Sequence, residues 1–433
     1  MTQDTTNVAL RRQVGVGGAV MLGLGSIVGT GVFGSIALGV ELTGAGVVAA
    51  IAVAAIVATC NGLSSAQLAA AYPVSGGTYE YGYRLLHPAA GFTAGWVFLL
   101  AKSASAATAA LYLAGYVQAA TGLDSRLTVP LALVGVAVLT ALVATGIRRS
   151  NAVNILIVSI TLAALACFVA VGVWRQLQRG SSGDLFTLPS INPSWFEAAA
   201  LMFVAYTGYG RIATLGEEII DPRRNIPRAM IATLGISMLV YVAVAAVLVM
   251  AWTDASSTSA AKRDAPLAWA ATQAIGPAGG VVLGVGAVTA MAGVLLNLLL
   301  GLSRVLLAMG RRGDAPAAAA RVSGDGSPVI AVVAVGGLIA GIVLVGQVKL
   351  TWSFSAFTVL IYYALTNLAA LQLPPERRLF ARAWAWGGLG ACVFLAFWVA
   401  WPVWVTGLGL IAAGLVWHRV GGGGRRRAKP QAA

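Results

Sequence analysis

Two glycine-rich stretches lie inside long apolar runs and contain groups that could bind a polar ligand within a membrane. The first is GSIVGTGVF, residues 25–33, and the second is FVAYTGYGRIATLGEE, residues 203–218. Glycine destabilises a helix by about 1 kcal/mol relative to alanine, so each stretch marks a place where a helix could open and present backbone N–H and C=O groups. Close helix packing is the alternative role for such glycines. The presence of two such stretches favours the broken-helix interpretation.

Lys102 is the third chemically notable feature, because it lies within an apolar run. A lysine in the middle of a membrane span costs about 2.5–3.5 kcal/mol on insertion scales and is treated as functional by default. In a functional role, Lys102 would act as a proton carrier or as a fixed cation. The alternative is that the side chain extends along the helix to the membrane surface.

No aspartate or glutamate falls at the middle of a predicted span. This argues against a proton relay made of carboxylates, and it disfavours a substrate with a cationic side chain, which would need a buried carboxylate partner. Neutral amino acids are therefore the favoured substrate class.

The sequence offers no nucleophile–base pair and no cluster of metal ligands at membrane depth, so we expect no enzyme activity, no catalytic residue, no metal site and no cofactor. Coupling to a proton or sodium ion stays open.

The composition indicates an α-helical membrane protein. Of the 433 residues, 59% are hydrophobic and 10% are charged, whereas soluble domains carry about 25% charged residues. The net charge of +14 would suggest a nucleic-acid partner in a soluble protein. In a membrane protein it indicates basic cytoplasmic loops. We therefore expect the lipid bilayer as a partner, with no nucleic acid and no obligate protein partner.

Apolar runs predict twelve transmembrane helices, with both termini in the cytoplasm of a multi-pass protein of the cytoplasmic membrane. With this topology, 20 of the 28 lysines and arginines fall in cytoplasmic segments, as the positive-inside rule requires. The predicted spans are 13–40, 45–71, 91–119, 127–147, 152–174, 195–214, 229–252, 278–309, 328–346, 351–371, 384–399 and 402–418.

The glycine-rich stretches fall in predicted spans 1 and 6. Because they are offset by five spans, an odd number, span 6 crosses the membrane in the opposite sense to span 1. This indicates an inverted repeat with a site where the two interruptions meet. The predicted organisation is a cytoplasmic N-terminus (1–12), two five-helix repeats (13–174 and 195–371), two further spans (384–418) and a basic tail (419–433).

Four motifs resemble those of the amino acid–polyamine–organocation (APC) superfamily. GSIVGTGVF resembles the signature of its first helix, and FVAYTGYGRIATLGEEIIDPRRNIPRAMI resembles its sixth helix and the loop that follows. YPVSGGTYEYGYRLLHPAAGFTAGW and LNLLLGLSRVLLAMGRRGDAP are similar to its helix 2–3 loop and its eighth helix. The resemblance implies a LeuT-type fold of 5+5 inverted repeats with broken helices 1 and 6. It also implies secondary transport of amino acids or related amines.

Backbone physics and the resemblance together predict how a zwitterionic amino acid binds. The carboxylate would face the start of the second half of helix 1, and the ammonium would face free carbonyl groups of both helices. Two tyrosines are candidate pocket walls or lids, with packing of aromatic rings as the alternative. The predicted substrate-binding residues are Ile27, Gly29, Thr30 and Gly31 in helix 1, and Val204, Ala205, Tyr206, Thr207, Gly208 and Tyr209 in helix 6.

This sequence departs from the family pattern at Thr161. In many proton-coupled or sodium-independent members a lysine of helix 5 occupies the corresponding position, so the coupling role of that amine does not carry over. Three explanations stay open. Lys102 supplies the charge, the protein works uncoupled or as an exchanger, or a cation enters the site in place of the missing amine. A possible cytoplasmic gate comprises Arg11, Arg211, Glu217 and Glu218, with a solvated charged loop as the alternative.

The function expected from the sequence is a permease or exchanger for amino acids that works by alternating access. A polyamine- or ethanolamine-type permease is the closest alternative. An amino-acid sensor that keeps the binding fold without transport is a further one.

Overall fold

A computed structural model describes residues 14–73, 76–146, 151–179, 190–214, 219–253, 262, 264–323 and 327–422, with backbone alone for 151–153, 179, 214, 253, 421 and 422. Within these ranges the chain is helical apart from connecting turns and one isolated β-bridge, between Val14 and Ile219. The helices are α1 (Val16–Ile27), α2 (Ile36–Thr43), α3 (Val47–Ala71), α4 (Thr78–Leu85), α5 (Pro88–Thr121), α6 (Thr128–Ala144), α7 (Asn151–Arg179), α8 (Pro193–Tyr206), α9 (Gly210–Thr214), α10 (Pro222–Thr253), α11 (Pro266–Ile275), α12 (Pro277–Arg312), α13 (Val329–Val343), α14 (Val348–Leu371), α15 (Arg382–Ala396) and α16 (Trp401–Gly422).

Eight stretches of the described chain are long and apolar enough to cross a membrane. One of them, Val16–Ala71, has 56 residues, which is more than twice the roughly 20 residues that one crossing needs. Helices occur in all twelve stretches where the sequence predicts a span. Two shorter helices, α4 and α11, were not predicted, because neither contains an apolar run of membrane-spanning length.

The arrangement of the helices places α5 at the centre of the molecule. In its most apolar window 89% of the residues are buried by the protein itself, compared with 17% for α6 and 17% for α16. The apolar residues of α6 and α16 therefore face outward, as expected for helices in contact with lipid, whereas α5 is surrounded by other helices. Polar residues in the middle of α5, such as Ser103, Ser105 and Thr108, are consequently buried inside the protein.

A polar cluster joins α4, the loop after α12 and the end of α16. The phenol groups of Tyr79 and Tyr83 donate to Asp314 Oδ2 at 2.6 and 2.7 Å, and His418 Nδ1 lies 3.4 Å from Asp314 Oδ1. Burial and the hydrogen bond to the carboxylate raise the pKa of Tyr79 and of Tyr83. Both phenols therefore stay protonated and act as donors at neutral pH.

We expect the substitution Asp314→Asn to lower the free energy of unfolding by about 2 kcal/mol, because a neutral amide accepts more weakly from two buried phenols. Denaturant unfolding of the purified protein in detergent measures this loss. Glu376→Gln is the matched control, since Glu376 is exposed and its substitution is expected to change stability little. Equal stability of the two variants would contradict the proposed role of Asp314.

Candidate functional site

The first helix is interrupted where the sequence predicts it. Helix α1 ends at Ile27, and Val28 takes an extended conformation with φ −80° and ψ 90°. The N–H groups of Val32 and Phe33 then both bond to Gly29 O, at 3.1 and 3.0 Å, where a second helical segment begins. The first N–H groups of a helix have no acceptor within it, which here applies to Thr30 and Gly31. A π-helical turn, Gly31–Ser35, leads into α2.

The sixth predicted span is also interrupted, over a shorter length than the sequence predicts. Helix α8 runs to Tyr206, a 3₁₀ turn covers Thr207–Tyr209, and α9 follows. Val204 and Ala205, predicted within the opened segment, are α-helical. Their carbonyl groups lie in the last turn of α8, where the regular bonding of the helix ends, and Val204 O accepts from the N–H of Thr207.

The two interruptions are in contact with each other. A Cβ atom added to Gly208 would overlap Ser26 O and lie 2.5 Å from the Ser26 carbonyl carbon. One added to Gly31 would lie 2.9 Å from Ala205 Cβ. Distances below 3.0 Å are not tolerated at a Cβ without movement of the neighbours. The two segments can therefore lie this close together because glycine, which has no side chain, occupies both positions.

Tyr241 on α10 links the two interruptions, and the sequence did not single it out. Its hydroxyl lies 2.9 Å from Ile27 O and 3.0 Å from Ala205 O, and it donates its one proton to this pair of carbonyls. The other two predicted carbonyls also have partners. Thr207 Oγ1 donates to Val204 O at 2.7 Å, and Tyr363 Oη donates to Thr207 O at 3.3 Å. Val204 O also accepts from the backbone N–H of Thr207, so both of its lone pairs are used. Ile27 O and Ala205 O share the one proton of Tyr241 and keep lone-pair capacity for a further donor.

A cavity of about 40 Å³ lies at the junction of the interruptions. Thr30 is 4% exposed, and its Oγ1 has no hydrogen-bond partner among the described residues. It is the hydroxyl that the sequence predicts to contact a carboxylate. The residues that line the cavity are Ser26, Ile27, Thr30, Gly31, Lys102, Ser105, Val204, Ala205, Thr207, Gly208, Val294, Leu298 and Trp352.

Lys102 reaches the cavity from α5. The side chain is 8% exposed, and Nζ donates to Thr207 Oγ1 over 2.7 Å. The alternative in which the side chain extends to the membrane surface is therefore wrong, because the amine bonds to the interrupted part of the sixth span.

Three predicted substrate-binding residues and Thr161 are not among those that line the cavity. Gly29 packs on α12, where a Cβ would lie 2.5 Å from a Val294 methyl carbon. The rings of Tyr206 and Tyr209 pack on Tyr241 and Tyr363, with centroids 5.0 and 5.5 Å apart. Thr161 is 1% exposed, and its hydroxyl bonds to Ile157 O of its own helix at 2.7 Å.

The predicted cytoplasmic gate falls mostly outside the described residues, since Arg11, Glu217 and Glu218 belong to the undescribed segments. Arg211 lies in α9 and is partly exposed. Nearby, Ile220 N donates to Val14 O at 3.0 Å. The segment that precedes α1 therefore contacts the segment that precedes α10.

The described residues form long apolar helices, and two interrupted helices share a small cavity that contains hydroxyl groups and a lysine amine. This is the architecture of a membrane protein that handles small molecules. The family model for amino acid permeases matches residues 18–423, nearly the whole chain. The protein belongs to the amino acid permease family and is a membrane transporter, which confirms the resemblance seen in its motifs.

Three similar proteins span much of the chain. An uncharacterized transporter of Mycobacterium tuberculosis (strain H37Rv) is 36% identical over 392 residues, which cover 90% of this chain and 86% of the relative. The branched-chain amino acid permease BcaP of Bacillus subtilis is 27% identical, over 72% of this chain and 70% of its own. Cationic amino acid transporter 4 of Arabidopsis thaliana is 26% identical, over 82% of this chain and 63% of its own.

Proposed function

We propose that this protein is a secondary transporter that moves amino acids across the cytoplasmic membrane by alternating access. The proposal is supported chiefly by the contact between the two interrupted helices at a cavity whose lining combines hydroxyl groups and a lysine amine with apolar side chains. Seven of the ten residues predicted to bind substrate line this cavity. Paired interrupted helices at one site are a common feature of such transporters.

The proposed membrane arrangement has twelve spans, in two inverted five-helix repeats followed by two further spans, with both termini in the cytoplasm. The helices in all twelve predicted stretches support the count. The interruptions in the first and sixth of these stretches support the repeat. The excess of basic residues in the segments assigned to the cytoplasm supports the orientation.

In the proposed complex the substrate carboxylate binds at the start of the second half of the interrupted first helix. Thr30 contributes its N–H and its hydroxyl, and Gly31 contributes its N–H, at the positive end of a helix dipole. The ammonium binds the second lone pairs of Ile27 O and Ala205 O, whose positions Tyr241 fixes. An α-amino acid thus meets donors and acceptors on opposite sides of one cavity.

The proposed substrates are amino acids without a cationic side chain, with neutral amino acids as the class expected from the sequence. The likeness to a branched-chain amino acid permease supports neutral substrates. A cationic amino acid transporter is also among the relatives. In this protein, however, the described residues that line the cavity include a lysine and no carboxylate. A cationic side chain would therefore find an amine and no carboxylate partner there.

Uptake of radiolabelled amino acids into proteoliposomes tests the proposal. Saturable uptake of at least one non-cationic amino acid is the expected result. Binding without any flux would favour the sensor alternative, and the absence of both binding and flux would overturn the proposal.

The substitution Thr30→Val distinguishes an amino-acid permease from an amine permease. Valine keeps the shape of threonine and removes the hydroxyl, so we expect affinity for the amino acid to fall by about tenfold. Competition assays with the amino acid and with its decarboxylated amine measure the effect. An unchanged affinity, together with a preference for the amine, would show that no carboxylate binds here. Thr161→Val is the matched control, because the Thr161 hydroxyl bonds within its own helix.

A further inference from the structure

Lys102 places its amine, a hydrogen-bond donor, in the cavity at the junction of the two interruptions. Among the described residues this amine bonds to one acceptor, which is a neutral hydroxyl. Its Nζ donates to Thr207 Oγ1, and that hydroxyl donates in turn to Val204 O, each over 2.7 Å. A lysine ammonium has three N–H donors, and this contact uses one of them. The chain of bonds leads from the amine to a backbone carbonyl and contains no anion.

The cavity offers no counter-ion for a protonated Lys102. Among the described residues that line it, Lys102 is the one titratable side chain. A buried charge without a counter-ion is costly, and ionisable residues inside membrane spans are almost always paired. A neutral amino acid carries one positive and one negative group, so its binding supplies no additional anion to pair with a protonated Lys102. An acidic amino acid adds a second carboxylate, and the charges in the cavity then sum to zero.

We propose that Lys102 pairs with the side-chain carboxylate of an acidic amino acid and makes the transporter prefer acidic substrates over neutral ones of equal size. This inference rests on the proposed function, because it assumes that the α-carboxylate binds at Thr30 and Gly31. Lys102 belongs to a different helix and is left to meet the second carboxylate, with Thr207 as its acceptor when the site is empty.

Aspartate and asparagine provide a sharp test, because they have nearly the same size and shape and differ in side-chain charge. Each is used to compete with uptake of a radiolabelled amino acid into proteoliposomes. We expect wild-type protein to bind aspartate about 10- to 100-fold more tightly than asparagine. Lys102→Met should reduce this ratio to about one, and Lys102→Arg, which keeps the charge, should retain most of it.

Lys349→Met is the matched control. Lys349 is half exposed and pairs with Glu197 at 3.2 Å, away from the cavity. This variant removes one lysine by the same substitution and should keep the wild-type ratio.

Two results would overturn the inference. One is wild-type protein that binds asparagine as tightly as aspartate, and the other is a Lys102→Met variant that keeps the preference. If Lys102→Met does not fold, the inference is tested by the ratio of the affinities for aspartate and asparagine, measured in the wild-type protein and in Lys102→Arg. Uptake of neutral amino acids without a preference for aspartate would refute the pairing alone, whereas failure to transport any amino acid would refute the proposed function.

Discussion

Replacing Gly208 with alanine is expected to reduce amino-acid uptake by about 100-fold. The added methyl group would overlap Ser26 O and lie 2.6 Å from a side-chain carbon of Ile27. Because Ser26 O belongs to the backbone, the overlap is relieved only by moving the two interruptions apart. This separates the groups proposed to bind the carboxylate from those proposed to bind the ammonium. Uptake into proteoliposomes measures the loss.

Gly284→Ala is the control for this prediction. Gly284 is buried in α12, yet a Cβ atom there meets no atom within 4 Å. The same chemical change in a buried helix should therefore leave uptake within about twofold of wild type. Wild-type uptake by Gly208→Ala would contradict the assignment of the site to this junction.

Replacing Tyr241 with phenylalanine is expected to raise the KM for the amino acid by about tenfold. The ring and its packing are kept, but the hydroxyl that bridges Ile27 O and Ala205 O is lost. Two carbonyls that face the proposed ammonium site would then lose their common donor and their fixed spacing. Initial rates of uptake over a range of substrate concentrations separate this effect on KM from an effect on the maximal rate.

Tyr206→Phe provides the comparison, because its ring packs on that of Tyr241. Its hydroxyl makes a single long bond of 3.4 Å to Ile51 O, away from the cavity. The KM should change little in this variant. If the two substitutions had equal effects, the bridging hydroxyl of Tyr241 would have no special role in binding.

The interruption of the first helix could be predicted from the sequence because its cause is local. Gly29, Thr30 and Gly31 weaken the helix where they occur, whatever surrounds them. The interruption of the sixth span was placed correctly but drawn too long. Val204 and Ala205 have ordinary helix-forming side chains and stay in α8, and only the segment with Gly208 leaves the α-helical conformation.

The partners of these interruptions could not be predicted, because they come from distant parts of the chain. Tyr241 lies 214 residues from Ile27, and a tyrosine in an apolar span carries no signal that sets it apart. Lys102 and Thr207 are 105 residues apart. Whether the lysine turned inward or extended to the membrane surface depended on which other segments surround α5, which is a property of the tertiary structure.

A structure of the purified protein with a transported amino acid bound tests the central claim most directly. We expect density for the ligand at the junction of the two interruptions, with its carboxylate within hydrogen-bond distance of Thr30 Oγ1. Ligand density elsewhere in the protein, or continuous helices through Ile27–Gly31 and Thr207–Tyr209, would contradict it.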